Sequence, residues 1–199
     1  MPEAGRVIGG SARGIRLEGP RGGTTRPLSD RVKESLFGAL EAEGALDGPF
    51  LDLFAGTGAA GIEALSRGAP GATFVEHDGA NCALIGTNLR RAHLVNGRVV
   101  RADVVAYLHN GRTQGGEPYV GALLDPPYGD PILLRALELL ANEALDWLAP
   151  TAMVVAKHFW RDEPPESLGV LAKVRQRRFG ETALTFYTRK RRVDHGDPP

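Results

Sequence analysis

The chain has 199 residues, of which 42% are hydrophobic and 24% charged, a composition that indicates a folded globular domain and excludes a disordered chain. No apolar run approaches the ~20 residues that span a bilayer, and the first residues lack the apolar core of a signal peptide, so we expect a cytoplasmic protein with no membrane partner. The formal net charge is zero, and the single cysteine, Cys82, excludes an internal disulfide and offers no metal cluster, so no metal is expected.

In chain order, the first predicted element is a hairpin within residues 1–28, a glycine-rich stretch that contains the strand-like pieces RVIGG and IRLEG. A helix is predicted from Asp30 to about Gly44, with Ser29 as its N-cap and apolar residues at helical spacing. Buried strands then alternate with helices. The predicted strands are FLDLF, ATFVEHD, GRVVRAD, VGALLD and AMVVAKH. One predicted helix begins after the glycine-rich turn behind FLDLF, and a second covers about Ala80 to Ala92. The other two are VVAYLHN and the long segment PILLRALELLANEALDWL.

Strands that alternate with helices predict an α/β fold with a mostly parallel sheet and helices on both faces. The segment LAKVRQRRFGETALTFYTRK breaks the alternation, and we expect it to add an antiparallel edge of two strands with a turn near Gly180. Three parts are expected: a basic hairpin arm over residues 1–28, a main domain over 29–190 and a flexible polar tail over 191–199. The absence of heptads argues against a coiled coil, and we expect a monomer.

Charge is unevenly distributed along the chain. Residues 1–33 hold seven basic and three acidic side chains, residues 166–199 hold eight and four, and the stretch between them holds nine and seventeen. Two basic ends around an acidic middle suit a polyanion held by the ends, and they suit equally well a chain whose basic ends serve only solubility.

The segment LDLFAGTGAAG follows the first strand of the predicted sheet and opens a helix. Glycines at Gly56, Gly58 and Gly61 let the backbone approach a ligand and adopt positive φ. Glu76 ends the next strand, where a doubly wound fold uses an acid to bind ribose hydroxyls, and Asp103 follows the third strand, near the expected adenine. The alternative is a glycine turn that only packs a helix on a strand.

A phosphate ligand does not suit this loop. The Lys-Ser/Thr pair of a phosphate-binding loop is missing, and Asp52 and Glu76 would repel phosphate. A cationic nucleoside without phosphate fits better, and S-adenosylmethionine has a cationic amino group, a sulfonium and two ribose hydroxyls. We therefore predict S-adenosylmethionine as the cofactor.

The segment LLDPPYGDP places Asp125 at the end of the fourth strand, on the same sheet edge as the glycine loop. Asp125 and the Pro126 carbonyl can each accept a hydrogen bond from an exocyclic base amine, and two prolines hold that carbonyl in a fixed direction. Tyr128 offers a ring on which a flipped base can stack. A plain Pro-Pro turn at a strand end is the competing interpretation.

Together these motifs resemble class I methyltransferases that modify exocyclic or amide nitrogens. With RVIGGSARG, TTRPLSDRVKESLF, LDLFAGTGAAGIEALSRGA, FVEHD and LLDPPY, the chain resembles the RsmD family, the 16S rRNA guanine(966)-N2-methyltransferases, from about Arg6 to Tyr187. The resemblance implies a Rossmann-like sheet of seven strands with the last antiparallel, S-adenosylmethionine as donor, and a guanine of small-subunit rRNA, or of its assembly intermediate, as acceptor.

The resemblance also implies roles for individual residues. The expected cofactor residues are Asp52, Phe54, Ala55, Gly56, Thr57, Gly58, Glu76, His77, Asp103 and Val104, although for His77 its position favours a purely structural role at the strand end. The residues expected to hold the target guanine are Asp125, Pro126, Pro127 and Tyr128, and those expected to bind RNA are Arg6, Arg13, Arg16 and Arg26.

Three other functions remain open on the sequence. A DNA adenine-N6 methyltransferase shares the tetrapeptide but generally carries a target-recognition domain, for which 199 residues leave little room. A protein-glutamine methyltransferase would have NPPY where this chain has Asp125. A non-catalytic RNA-binding assembly factor is the third, and the intact glycine loop and Asp-Pro-Pro-Tyr segment argue against it.

Overall fold

The computed structural model describes residues 3–20, 28–112 and 116–190. The chain begins with an antiparallel hairpin of β1 (Glu3–Arg6) and β2 (Arg16–Glu18). The helices are α1 (Asp30–Ala42), α2 (Ala59–Ser66), α3 (Gly79–Arg91), α4 (Val104–His109) and α5 (Ile132–Leu140). The remaining strands are β3 (Phe50–Leu53), β4 (Ala72–Glu76), β5 (Gly97–Arg101), β6 (Tyr119–Leu124), β7 (Leu148–Phe159), β8 (Ser167–Leu168), β9 (Leu171–Phe179) and β10 (Thr182–Arg189).

The sheet has the order β5-β4-β3-β6-β7-β10-β9-β8, and the strands from β5 to β7 are parallel. The predicted α/β fold with a mostly parallel sheet is therefore confirmed. The seven expected strands are present, and two-residue β8 adds an eighth at the edge. The expected antiparallel pair exists, with its turn at Gly180, but β10 is an interior strand between β7 and β9 and only the β9 side faces the edge.

Each face of the sheet is covered by its own apolar layer. Phe50 and Leu123 pack with the hairpin, α1, α2 and α3, whereas the next residues along the strands, Leu51 and Leu124, pack with α4 and α5. Successive side chains of a strand point to opposite faces, so a strand buried on both faces must be continuously apolar. Strand β6 fits this pattern, and β3 departs from it only at Asp52, which is itself buried.

The long helix predicted through Leu148 is wrong in its second half. Helix α5 ends at Leu140, and the Asn142 side chain accepts a hydrogen bond from the Ala144 N–H at 3.0 Å, which starts a single 3₁₀ turn over Glu143–Leu145. A short amide side chain that binds nearby backbone competes with helix continuation. Trp147, expected in the helix, instead lies directly before strand β7, and its Nε1 donates to the Leu108 carbonyl at 2.9 Å.

Buried polar side chains fasten the hairpin to the main sheet. The fully buried Glu63 accepts hydrogen bonds from the Ile8 and Gly9 N–H groups at 2.9 and 2.8 Å, and Ser66 Oγ accepts one from the Ala12 N–H at 2.9 Å. Lys33, also fully buried, donates to the Arg6 carbonyl at 2.6 Å, and burial lowers the pKa of its amine. These hydrogen bonds attach the hairpin backbone to side chains of α1 and α2.

Asn88 of α3 links the end of the hairpin to the glycine loop. Its Oδ1 accepts from the Glu18 N–H at 2.8 Å, while its Nδ2 donates to the Glu18 carbonyl at 3.1 Å and to the Thr57 carbonyl at 3.0 Å.

Across the described part of the chain, no helix is both long and apolar enough to cross a membrane.

Candidate active site

The candidate site lies where four parallel strands end. In the register of the sheet, Leu53 pairs with Val75 on one side and with Leu124 on the other, so the residues that follow β3, β4 and β6 meet at one edge. Ligands of open α/β sheets bind outside this carboxyl edge. The structure therefore brings the glycine loop, Glu76 and Asp125 together, as the sequence predicted for strand ends.

Several residues of the glycine loop (residues 54–58) have a left-handed backbone conformation. Phe54, Gly56 and Gly58 have φ values of 61°, 54° and 77°, and Gly58 begins helix α2. Gly61 has a different role, because a Cβ there would lie 2.3 Å from the Phe74 ring. The first two glycines thus form the turn, and the third allows α2 to pack closely on β4.

Glu76 holds the loop against the end of β4. Its Oε2 accepts from the Gly56 N–H at 2.8 Å, and its Oε1 accepts from the Asp78 N–H at 2.9 Å. The adjacent His77 is 81% exposed, with its Nδ1 3.1 Å from Glu76 Oε1. The carboxylate therefore has structural hydrogen bonds in addition to its expected part in binding ribose.

Asp52 is buried directly beneath the loop, where it accepts from the Gly61 N–H at 2.8 Å. Burial is the main reason that the pKa of its carboxyl is raised to about 8; the Gly61 hydrogen bond opposes this shift, and the nearby charges of Asp125 and Glu76 add to it. A cation that approached this group would favour its ionised form. The electrostatics thus suit a cationic ligand, as the acidic residues of the sequence indicated.

The remaining expected cofactor residues surround the same edge. Asp103 caps helix α4, where its Oδ1 accepts from the Ala106 N–H at 2.8 Å. Val104 and Ala55 are buried, and Phe54 and Thr57 are half-buried. Asp103 therefore has a capping role that the sequence interpretation did not include, beside its expected contact with adenine.

Asp125 has a partner that sequence reasoning missed. Lys157, near the end of β7, lies with its Nζ 2.5 Å from Asp125 Oδ1. Burial raises the pKa of Asp125, and the ammonium of Lys157 opposes that shift. The available signal was a lone lysine in the otherwise apolar strand AMVVAKH; because Leu124 pairs with Ala156, the next residues, Asp125 and Lys157, are neighbours.

A row of aromatic rings extends outward from Tyr128. The Tyr128 ring is 6.3 Å from that of Phe159, which is 6.2 Å from Trp160, and the Arg178 guanidinium lies 3.6 Å from the Trp160 ring centroid. The Tyr128 hydroxyl is 2.6 Å from Thr182 Oγ1. A cleft of about 420 Å³ runs between the 126–131 loop and residues 157–165. Phe159 and Trp160 carried no recognisable pattern in the sequence.

Three of the four arginines expected to bind RNA, Arg6, Arg13 and Arg16, lie on the hairpin. Arg6 pairs with Asp30 at 2.9 Å and Arg16 with Glu3 at 2.7 Å, and all four side chains are largely exposed. Arg13 is exposed and forms no ion pair with any residue that the structure describes. Arg26 lies outside the described residues.

The strand order and the two segments at the carboxyl edge define the fold of the class I S-adenosylmethionine-dependent methyltransferases. The chain belongs to the RsmD family within that class: the family described as conserved hypothetical protein 95 matches residues 5–188.

Individual relatives agree with this assignment. Ribosomal RNA small subunit methyltransferase D of Escherichia coli is 35% identical over 185 residues, which cover 93% of this chain and 90% of that protein. The protein YlbH of Bacillus subtilis is 36% identical over 192 residues, covering 93% of this chain and 99% of the relative. The solved structure of yhhF from Escherichia coli superposes with a TM-score of 0.80 at 34% identity and covers 93% of this chain and 97% of its own.

Proposed function

We propose that this protein transfers a methyl group from S-adenosylmethionine to the exocyclic N2 atom of a guanine in the RNA of the small ribosomal subunit, guanine 966 of 16S rRNA by family resemblance. The observation that carries the proposal is the Asp125-Pro126-Pro127-Tyr128 segment on the sheet edge that also holds the glycine loop, in a chain of the RsmD family. The relative from Escherichia coli is named as a methyltransferase of small-subunit rRNA.

The residues of the site fit S-adenosylmethionine. When bound, S-adenosylmethionine supplies a methyl group on a positively charged sulfur, which is a strong electrophile. Asp52 and the loop from Phe54 to Gly58 would face its amino acid end, Glu76 and His77 its ribose, and Asp103 and Val104 its adenine. The buried carboxyl of Asp52, with a pKa raised to about 8 by burial, favours a cationic group as its neighbour.

The chain's own residues would act mainly by positioning the amine. The lone pair of an exocyclic base nitrogen is delocalised into the ring, so this nitrogen is a weak nucleophile. Asp125 and the Pro126 carbonyl would accept its two N–H groups, which directs the lone pair out of the base plane. The half-exposed ring of Tyr128 would stack on the flipped base. Most of the acceleration would then come from orientation rather than strong base catalysis.

The proposed partner is 16S rRNA, in the small subunit or an assembly intermediate. Arg6, Arg13 and Arg16 on the hairpin are exposed and would contact its phosphates. Cytoplasmic location and action as a monomer are part of the same proposal.

The test is methyl transfer from labelled S-adenosylmethionine to small subunits isolated without this modification, followed by nucleoside analysis and mapping. We expect N2-methylguanosine at one position with the wild type and none with Asp125→Ala. Label in DNA or protein instead of RNA would contradict the proposed substrate. Absence of label in all three, together with no binding of S-adenosylmethionine in calorimetry, would favour the RNA-binding assembly factor.

A further inference from the structure

The ion pair between Lys157 and Asp125 has a defined orientation. The lysine Nζ contacts Oδ1 of Asp125 at 2.5 Å, and no described side chain bonds Oδ2. The side chains are only 13% and 25% exposed, so water screens the pair weakly. The same ammonium lies 5.1 Å from the centroid of the Tyr128 ring, on which the target base is expected to stack. Lys157 is therefore next to both Asp125 and Tyr128, two of the residues expected to hold the target base.

The pair presents an ordered set of polar groups. A lysine ammonium has three N–H donors and no acceptor, and one of these donors is used by Oδ1. An ionised carboxylate accepts at both oxygens. Following the chain from the Pro126 carbonyl to Asp125 and on to Lys157, the groups are a carbonyl acceptor, two carboxylate acceptors and an ammonium donor.

The Watson–Crick edge of guanine carries the complementary order. It presents two N–H donors on N2, one N–H donor on N1 and an acceptor at O6. Adenine presents two N–H donors on N6 and then an acceptor at N1, which would oppose a carboxylate oxygen. Enzymes that act on flipped bases read them by hydrogen bonds to this edge.

We infer that Lys157 determines the base specificity of this site, by donating to O6 of the target guanine while it holds Asp125 oriented toward N1–H and N2–H. The inference rests on the proposed function and adds a residue that reads the base. Lys157 is the cation that contacts Asp125 in the described structure, and its ammonium opposes the rise in the Asp125 pKa that burial causes.

Loss of Lys157 should also change the protonation of Asp125. Burial raises the pKa of Asp125, and removal of the ammonium removes the opposing influence, so a variant without Lys157 carries a protonated Asp125 up to higher pH. A protonated carboxyl can donate a hydrogen bond. It would therefore accommodate a base with an acceptor at N1, such as 2-aminopurine, which keeps the exocyclic N2 amine but has neither N1–H nor O6.

The experiment compares Lys157→Met and Lys157→Arg with wild type on two substrates: small subunits reconstituted with 16S rRNA that carries guanine or 2-aminopurine at the target nucleotide. Lys173→Met is the matched control, because Lys173, on β9, is also 13% exposed and pairs with a carboxylate, that of Glu166, at 2.7 Å. We expect Lys157→Met to lower kcat/KM on guanine by about 10- to 100-fold. On 2-aminopurine it should leave kcat/KM unchanged or raise it. Lys157→Arg should keep the preference for guanine.

The ratio of the two rates is measured in one preparation, so it does not depend on the fraction of folded protein. On guanine, the activity of Lys157→Met should recover as pH rises, because Asp125 ionises again. Equal losses on both bases, or an undiminished rate on guanine, would overturn the role of Lys157. A wild type that leaves the target guanine unmethylated would instead overturn the proposed function, and this result comes from the first assay of the series.

Discussion

At the scale of single residues, buried carboxyl groups decide what the site can bind. Asp52 and Glu76 are buried at the end of neighbouring strands, and Asp125 follows the next strand. Like charges held close together in a dry site resist ionisation, which is part of the reason for the raised pKa of Asp52. Such a cluster disfavours phosphate and favours a ligand that brings positive charge.

Binding of S-adenosylmethionine should therefore release a proton from Asp52. With a pKa of about 8, Asp52 is mostly protonated at pH 7, whereas the amino group of the ligand favours the carboxylate. Because ionisation limits binding below this pKa, affinity should rise by about 9-fold between pH 6 and pH 7. Calorimetry in buffers of different ionisation heat measures both quantities.

Asp52→Asn is the matched variant, since its amide oxygen can still accept from the Gly61 N–H. It should bind S-adenosylmethionine more weakly and lose most of the pH dependence. Wild-type affinity that stays level from pH 6 to pH 7, without proton release, would contradict the role of Asp52.

At the scale of elements, the hairpin and the glycine loop are mechanically connected. Glu63 and Ser66 of α2 bind the hairpin backbone, and α2 begins directly after the glycine loop. Asn88 of α3 binds the hairpin at Glu18 and the loop at Thr57. A displacement of the hairpin should therefore also shift the glycine loop, and the reverse.

Asn88→Ala should lower the free energy of unfolding by about 1–3 kcal/mol, because its loss leaves partly buried backbone groups of Glu18 and Thr57 without this partner. Thr87→Ala is the control, since the Thr87 hydroxyl bonds only within α3. Urea denaturation measures both, and hydrogen exchange should show the loss of protection in the hairpin. Equal free energies of unfolding for the two variants would show that the hydrogen bonds of Asn88 to Glu18 and Thr57 contribute little to stability.

The aromatic row that continues from β7 is a second feature at this scale. Trp160 is half-buried, with Arg178 and Arg161 stacked on its ring at 3.6 and 4.8 Å. Aromatic and guanidinium planes next to a base-binding site are suited to unpaired nucleotides.

Trp160→Ala should weaken RNA binding by about 1–3 kcal/mol, the worth of one stacked base, and should change kcat at saturating RNA much less. Val95→Ala, at a side chain 91% exposed on the α3–β5 loop, is the control. Fluorescence anisotropy with a labelled rRNA fragment gives the affinities. RNA affinity equal in the two variants would remove the aromatic row from the RNA surface.

At the scale of the whole molecule, the fold brings the two basic ends of the chain to one helix. Arg6 of the hairpin pairs with Asp30 at the start of α1, and Arg177 of β9 donates to Ser35 of the same helix at 2.8 Å. In the sequence these arginines are separated by most of the chain. A zero net charge thus coexists with arginines from both basic ends of the chain in contact with α1.

Arg13→Ala should weaken RNA binding more than Arg16→Ala, because Arg16 already pairs with Glu3 whereas Arg13 is exposed. The slope of log K against log salt should fall in magnitude by about 0.7–0.9 for each phosphate that the variant no longer neutralises. Affinities measured over a salt series provide the slope. An Arg13→Ala slope identical to that of wild type would exclude a phosphate contact there.

Much of the architecture follows from local sequence. Ser29 caps α1 as predicted, with its hydroxyl 3.4 Å from the Val32 N–H, because a serine before an apolar helical pattern satisfies a free N–H group. The runs that became β3, β4 and β6 were recognisable because strands buried on both faces are mainly apolar and do not alternate with polar residues. Since parallel strands share one carboxyl edge, the sequence alone also predicted that the glycine loop, Glu76 and Asp125 would meet.

Only the tertiary structure decided the features that depend on contacts between distant residues. Lys157 lies beside Asp125 because β7 pairs with β6 in one register, and no local pattern specifies that register. Helix α5 stops at Leu140 although its apolar spacing continues; beyond the turn that Asn142 starts, Trp147 packs against Tyr107 and Tyr119, a contact between distant residues that the spacing does not indicate. Strand β10 lies in the sheet interior between β7 and β9, and burial of Phe186 and Tyr187 stabilises it there.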